Sequence, residues 1–438
     1  MELTKEYIKK VSKLKNEPEW MLNFRLKSFD KFKELDNPTF GPKIELDLNK
    51  INYYKKIGDL TNNWDNVEEK VKQTFKTLGV IDAENKYLCG VSNQIESEVI
   101  YHNMKEENGV IFLSTDEALK EYPELFKEYF NNLVKYDENK YTALNGAIWS
   151  GGSFIYIPKG VKLDRPLQSY FRIDTITMGQ FERTIIIVDE GAELSYIEGC
   201  TAASYSENSL HAGVVEIYVK KNAKCKYSTI QNWSTDVYNL VTKRCIVDEG
   251  GFMQWIDGNI GSKVTMKYPS CILKGDYASA SSISIAYAKE NQKLDAGAKM
   301  IHLGKNTKST IISKSIASNG GESNYRGLVK ISANATNSES FVKCDTIILD
   351  DLSKSDTFPK NIVLNDTSTI EHEATVSKVS AEKLFYLMSK GLSENEAKEL
   401  IIMGFVSDFK KELPVEYAIE LNRLLKTCLL YTSDAADE

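Results

Sequence analysis

Ile187-Val-Asp-Glu-Gly191, followed by Ile197-Glu198-Gly199, returns as Ile246-Val-Asp-Glu-Gly250 followed by Ile256-Asp257-Gly258, an offset of 59 residues. A weaker copy lies between the two. Val219-Lys-Lys-Asn-Ala223 aligns with Val188-Asp-Glu-Gly-Ala192 at an offset of 31, and Tyr227 then falls on Tyr196. A strand, a polar turn carrying Asn or Gly, and another strand, repeated at this spacing, are the marks of a β-solenoid, in which each repeat buries its face on the next. A β-sandwich whose hairpins share turn chemistry is the competing reading, but a sandwich needs no repeats this regular.

The same texture extends outward from the repeat. From about Tyr141 to Ile370, short β-branched and aromatic runs are punctuated by Gly, Asn, Asp and Ser, with prolines only at 158, 166, 269 and 359. The β-helix core is therefore set at residues 136–370. Residues 1–135 read as an N-terminal helical or mixed domain with amphipathic stretches at 7–14, 20–35 and 67–78, and Ser114-Thr-Asp-Glu117 opens a further helix. Beyond the core, Ser380 starts a helix that Gly391 ends, Ser393-Glu-Asn-Glu396 is a capping box for a second, and Pro414 opens a third over 415–425. These helices make 371–427 a C-terminal helical domain. The tail Cys428-Leu-Leu-Tyr-Thr-Ser-Asp-Ala-Ala-Asp-Glu438 reads as translated sequencing adapter, so 428–438 is expected to be an artefact.

Composition sets the functional class. The chain has 438 residues, 42% of them hydrophobic, and 55 Lys and Arg against 62 Asp and Glu give a net charge of −7. That balance argues against broad electrostatic binding to nucleic acid or to anionic membrane. The charged start MELTKEYIKK has no apolar signal region, and no run approaches the ~18 apolar residues of a spanning helix; a cytosolic setting (or a plastid stroma) is expected. Seven cysteines without a CxxC spacing exclude a zinc ribbon or a self-contained ferredoxin site. Phosphate-loop, GxGxxG, HExxH and GxSxG motifs are missing; Gly304-Lys305-Asn306 lacks both the preceding glycine and the following hydroxyl of a nucleotide loop. If ATP drives this chain, a partner hydrolyses it.

Two strings carry chemistry. One is a thiol in polar company, Phe341-Val-Lys-Cys344-Asp345; the other is Ile370-Glu371-His372-Glu373-Ala374-Thr375. In a strand, Glu371 and Glu373 point one way and His372 the other. A thiolate joined by an imidazole or carboxylate suits iron. The plain alternatives are a core cysteine and a solvated strand edge. Cys225, Cys245 and Cys271 read as core thiols, and His211 and His302 as hydrogen-bonded structural histidines.

Taken in order, Tyr268-Pro-Ser-Cys-Ile-Leu273, Met300-Ile-His-Leu-Gly-Lys-Asn-Thr-Lys-Ser-Thr310, Ser323-Asn-Tyr-Arg-Gly-Leu-Val329, Cys344-Asp345 and Ile370-Glu-His-Glu-Ala-Thr375 resemble the SufB/SufD family of the SUF iron–sulfur cluster assembly system, nearer to its SufB branch. The resemblance runs from roughly residue 20 to 425. It implies a mainly β protein, a right-handed parallel β-helix between an N-terminal domain and C-terminal helices. The implied role is a non-enzymatic scaffold, with a transient iron–sulfur cluster and a proposed part for reduced flavin. Its implied partners are a SufC-type ABC ATPase docked on the C-terminal helices, a SufD paralogue or a second SufB copy, and a cysteine desulfurase system. The resemblance also assigns residues: Cys200 accepts persulfide sulfur, Arg172, Gln231, Trp233 and Lys243 line its route, and Cys344, Glu373 and His372 hold iron where the cluster forms. Asp174 stands where the family usually has Asn, and its carboxylate is expected to pair with Arg172. The competing functions are a SufD-like structural subunit and a β-helix polysaccharide lyase or hydrolase.

Overall fold

The computed structural model describes residues 2–67, 72, 88–104, 108–203 and 207–412, the side chains of 408, 410 and 412 excepted. The helix expected over 67–78 falls almost wholly outside these residues, and the one over 415–425 and the 428–438 tail fall wholly outside them.

The repeat motif marks the joints of a parallel β-solenoid of about eight turns. Each coil has one long strand, a short strand after a bend, and a third stretch that leads into the turn before the next long strand. Lys224–Trp233, Val237–Val247 and the turn at 248–251 make one such coil, the second of these strands serving two faces. The long strands stack in parallel as one wall in the order Gly90–Ile95, Leu167–Ile173, Glu193–Ala202, Lys224–Trp233, Phe252–Gly261, Ser279–Ala288, Lys308–Ala317, Glu339–Ile348 and Thr369–Lys378. The quoted pentapeptides form the turn that leads onto this wall. One residue per turn sits at positive φ: Gly191, Asn222, Gly250, Tyr277, Asn306 and Asn337. From Asn222 to Asn306 its N–H bonds a carbonyl of the next coil (Asn222 N to Glu249 O, Gly250 N to Asp276 O, Tyr277 N to Lys305 O). Gly and Asn populate that region at little cost, and this requirement is the physical source of the repeat. The wall extends past both limits drawn from the sequence, starting before 136 and running beyond 370 to Lys378.

Two helical layers pack outside the walls. Lys5–Leu14 is capped by Thr4, and Glu19–Glu34 follows it; Ile8, Val11, Phe29 and Phe32 pack against Leu144, Tyr238, Leu240 and Met266. A buried ionic knot anchors them. Arg25 forks onto Glu17 at 2.5 and 2.7 Å and donates to the Trp149 carbonyl, while Lys15 reaches Asp116 at 2.6 Å. At the other end, Ala381–Ser389, Glu394–Phe405 and Ser407–Glu412 follow the last strand. Ile402, Val406 and Phe409 cover Ile230, Ile256, Ile283 and Ile285 on the outer face of the long-strand wall. No helix among the described residues is long and apolar enough to cross a membrane.

Candidate functional site inside the solenoid

Strand geometry decides which side chains face inward. On Lys224–Trp233 the inward set is Cys225, Tyr227, Thr229, Gln231 and Trp233, and in-register pairing repeats that set coil after coil. Two interior columns result. One runs Ser169, Glu198, Thr229, Asp257, Ser284, Ser313, Cys344, Ala374; its neighbour runs Phe171, Cys200, Gln231, Asn259, Ala286, Ser315, Thr346. Cys200 and Cys344 therefore lie on adjacent columns five strands apart, about 24 Å at ~4.8 Å per strand.

The first coils of the columns are charged and fully buried. Lys243 extends from the facing strand to Glu198 at 3.0 Å and to the Thr229 hydroxyl at 3.3 Å, with its ammonium over the Tyr227 ring. One coil on, Lys267 donates to Asp257 at 2.8 Å and to the Gln231 side-chain oxygen at 3.2 Å. His211 bridges Asn239 and Glu182, both at 2.8 Å, and Asn239 in turn donates to Gln231. Burial disfavours every charge here; it pushes the Lys267 ammonium down, and at the other groups the pairs decide the outcome. Against that penalty, the ammoniums of Lys243 and Lys267 hold the carboxyls of Glu198 and Asp257 below their ordinary values. His211 is raised, because Glu182 beside it overrides burial.

Cys200 sits at the edge of this cluster, its sulfur 3.7 Å from Glu198 Oε1. Burial pushes its thiol well above the ordinary value, and the carboxylates of Glu198 and Glu182 add to the rise. Next to it, two buried N–H donors, Gln231 Nε2 and Trp233 Nε1, have no hydrogen-bond partner among the described residues. The Trp233 ring packs on His211 with centroids 4.7 Å apart. Arg172, in contrast, faces outward and is held by Asp174 at 2.7 Å, the pairing expected from the sequence. The structure thus brings Cys200, Gln231, Trp233 and Lys243 together and leaves Arg172 outside, on the neighbouring strand.

Past Asp257 the columns carry no further charge and become hydroxylic, with Ser284 donating to Ser313 at 3.2 Å and Cys344 next in line. Burial pushes the Cys344 thiol up to about 12, while a hydrogen bond from the Tyr325 hydroxyl opposes the rise. His372 Nε2 stands 3.9 Å from Cys344 Sγ, and Asn361 contacts its Nδ1 at 3.3 Å. Glu373 does not join them. It points outward to Lys343 at 3.4 Å, as strand alternation requires. Among the described residues no group of three or more His, Cys, Asp or Glu is placed to hold a metal ion; Cys344 and His372 set a thiol beside an imidazole at an open end whose last strand is largely exposed.

Cys225, Cys245 and Cys271 are buried among apolar neighbours, and His302 is held by Thr307 and Ser309, as the sequence reading expects. Sequence reasoning missed Glu198, Asp257, Lys267, Glu182, Asn239 and Tyr325. The signal was present for two of them: the repeated Ile-Glu-Gly and Ile-Asp-Gly place an acid at the same interior rung in two coils.

Residues 171–405 match the model of the SUF system FeS cluster assembly SufBD core domain, and residues 2–169 match the SufBD protein N-terminal region. The chain is 56% identical over 429 residues to the iron–sulfur cluster assembly protein SufB of Bacillus subtilis, covering 97% of this chain and 92% of that protein. It is 57% identical, with the same coverage, to iron–sulfur cluster assembly SufBD family proteins of Staphylococcus saprophyticus and Staphylococcus epidermidis. A charged, thiol-bearing interior that leads to a Cys–His pair at the open end of a parallel β-solenoid agrees with those matches, and the chain belongs to the SufBD family of iron–sulfur cluster assembly proteins.

Proposed function

We propose that this chain is the non-enzymatic scaffold on which a nascent iron–sulfur cluster is built. Sulfur enters as a persulfide on Cys200, passes along the interior, and meets iron at Cys344 and His372. The observation that supports this best is the pair of orphaned donors beside Cys200. Buried N–H groups without acceptors are costly, and Gln231 Nε2 and Trp233 Nε1 gain a partner when an anionic persulfide sulfur on Cys200 reaches them. Lys243 adds the compensating charge, and beyond Asp257, which Lys267 neutralises, Ser284 and Ser313 offer hydroxyls onward to Cys344. Arg172, on the outward face of the strand beside Cys200, guides sulfur from outside the interior, and Asp174 tempers its charge.

A second β-helix subunit, a SufD-type paralogue or another copy of this chain, completes the iron site. Cys344 and His372 lie at the end where the last coil exposes Phe358, Val363, Leu364 and Val376, and Glu373 points out of that coil towards such a partner. A SufC-type ABC ATPase docks on the C-terminal helices, which leave Phe385, Tyr386 and Leu400 more than half exposed. A cysteine desulfurase system supplies the persulfide; reduced flavin, where it takes part, would supply the two electrons that turn sulfane sulfur into sulfide. The setting is cytosolic, with neither nucleic acid nor membrane as partner. The test is anaerobic reconstitution of the chain co-expressed with its ATPase, comparing wild type with Cys344→Ala by visible absorbance. A brown chromophore in the wild type, lost in the variant, is expected; one of equal intensity in both overturns the assignment.

A further inference from the structure

We propose that Glu198 is the proton acceptor of Cys200, and that gaining the proton is what frees Lys243 to pair with the arriving sulfur. This rests on the sulfur-accepting role of Cys200 proposed above.

The geometry is a three-body contact on one oxygen. Glu198 Oε1 takes the Lys243 ammonium at 3.0 Å and lies 3.7 Å from Cys200 Sγ, while the Tyr227 hydroxyl holds the other carboxylate oxygen. Cys200, Glu198 and Lys243 are at most 3% exposed. The groups packed around them are Tyr196, Thr229, His211 with Glu182, and Lys267 with Asp257. Ionising Cys200 beside an ionised Glu198 would set two buried anions against Lys243 alone, a costly arrangement. At rest the sulfur therefore keeps its proton, which makes it a poor nucleophile and protects it from oxidation. Passing that proton to Glu198 leaves the charge of the cluster unchanged. The ammonium only exchanges one anion, a carboxylate, for another, a sulfur, at nearly the same place.

The step balances with a protein persulfide as donor. Cys200 sulfur attacks the terminal sulfur of donor–S–SH; the Cys200–sulfur bond forms, the donor S–S bond breaks, and the donor sulfur leaves with the electron pair. The Cys200 proton passes to Glu198, and the proton carried on the transferred sulfur goes to the departing donor thiolate. The sum is Cys200–SH, Glu198 carboxylate and donor–S–SH giving Cys200–S–S⁻, Glu198 carboxylic acid and donor–SH. No external reductant enters, because the sulfane sulfur keeps its oxidation state. The product anion is a weaker base than a thiolate, its charge lying beside a second polarisable sulfur. Lys243, Gln231 Nε2 and Trp233 Nε1 are the groups placed to hold it.

The experiment follows transfer of radiolabelled sulfur from L-[35S]cysteine, through the organism's own cysteine desulfurase system, to Cys200 in the full chain bound to its ATPase. Rates for Glu198→Gln and Glu198→Asp are divided by the wild-type rate at each pH from 6.5 to 8.5, which cancels the donor's own pH dependence. The Gln variant has no internal acceptor. Its relative rate is expected to be at least tenfold down at pH 6.5 and to climb by up to about tenfold per pH unit as the thiol ionises to solvent. Glu198→Asp, which keeps a carboxylate, is expected to be slower than wild type at a ratio independent of pH. A Gln variant that transfers at the wild-type rate with a flat ratio overturns the proposal. So does an Asp variant with the pH slope expected of Gln, which also decides the matter if Gln fails to fold. Wild-type protein that takes no label at Cys200, with Cys200→Ser as reference, overturns the sulfur-accepting role itself, a different result from either.

Discussion

The Glu17–Arg25 knot sets the acid stability of the N-terminal layer. The Glu17 side chain is 1% exposed and its carboxyl is held down at about 2 from an ordinary 4.5. Burial alone would raise it, and the Arg25 guanidinium, with help from Lys15, overrides burial. A depressed carboxyl stabilises the fold above its unfolded value and loses that contribution as pH falls through the folded one. The shift corresponds to about 3 kcal/mol at neutral pH, of which about 2 kcal/mol is gone by pH 3. Glu17→Gln removes the titration and leaves Arg25 buried beside an amide. Urea unfolding followed by tryptophan fluorescence reads the local structure, because Lys15 and Arg25 both lie over the Trp149 ring at 4.7 and 4.9 Å. At pH 7 the variant should be about 3 kcal/mol less stable than wild type, and at pH 3 the gap should narrow to about 1 kcal/mol. A gap that stays constant from pH 7 to pH 3, or one below about 1 kcal/mol at pH 7, would refute the assignment of this pair as the anchor.

Three further outcomes are expected. Tyr277 is 65% exposed at φ +60, in the turn column where its neighbours are Gly and Asn, so Tyr277→Asn should raise stability by about 1 kcal/mol and lift the thermal midpoint. Ser313→Val replaces a hydroxyl in the column one strand before Cys344; label should still load on Cys200 while the chromophore forms at least tenfold more slowly. Phe385→Ser with Tyr386→Ser alters only exposed rings, so the thermal midpoint should hold while the Kd for the ATPase partner, read by calorimetry, rises by about 2 kcal/mol or ~30-fold.

The coils were legible because turn chemistry is local. A residue at positive φ must come round once per coil, and Gly191, Asn222 and Gly250 betray it. The Cys344–His372 contact was legible in a weaker sense, since a 28-residue separation is about one coil. What the strands hide is direction. Both faces of Lys224–Trp233 are largely buried, one by the interior and one by the C-terminal helices, so alternation of polarity cannot tell inside from outside. Glu198 and Asp257 consequently showed in the sequence only as matching members of the repeat. Their partners Lys243 and Lys267 come from another face of the coil, and only the closed cross-section brings them within reach. Glu373 was joined to Cys344 by resemblance alone, and strand alternation turns it away within this chain.

Between Lys224 and Lys378 the long strands pair without a single slip in register. Such a wall is a ruler with graduations of ~4.8 Å. Adding or removing one whole coil would change the Cys200–Cys344 separation by one graduation and leave every interior side chain facing in, whereas a single inserted residue would turn a strand inside out. Distance between the two thiols is thus a quantised trait, open to change only in steps of about thirty residues, and natural variants of different length should differ inside the wall by whole coils or not at all.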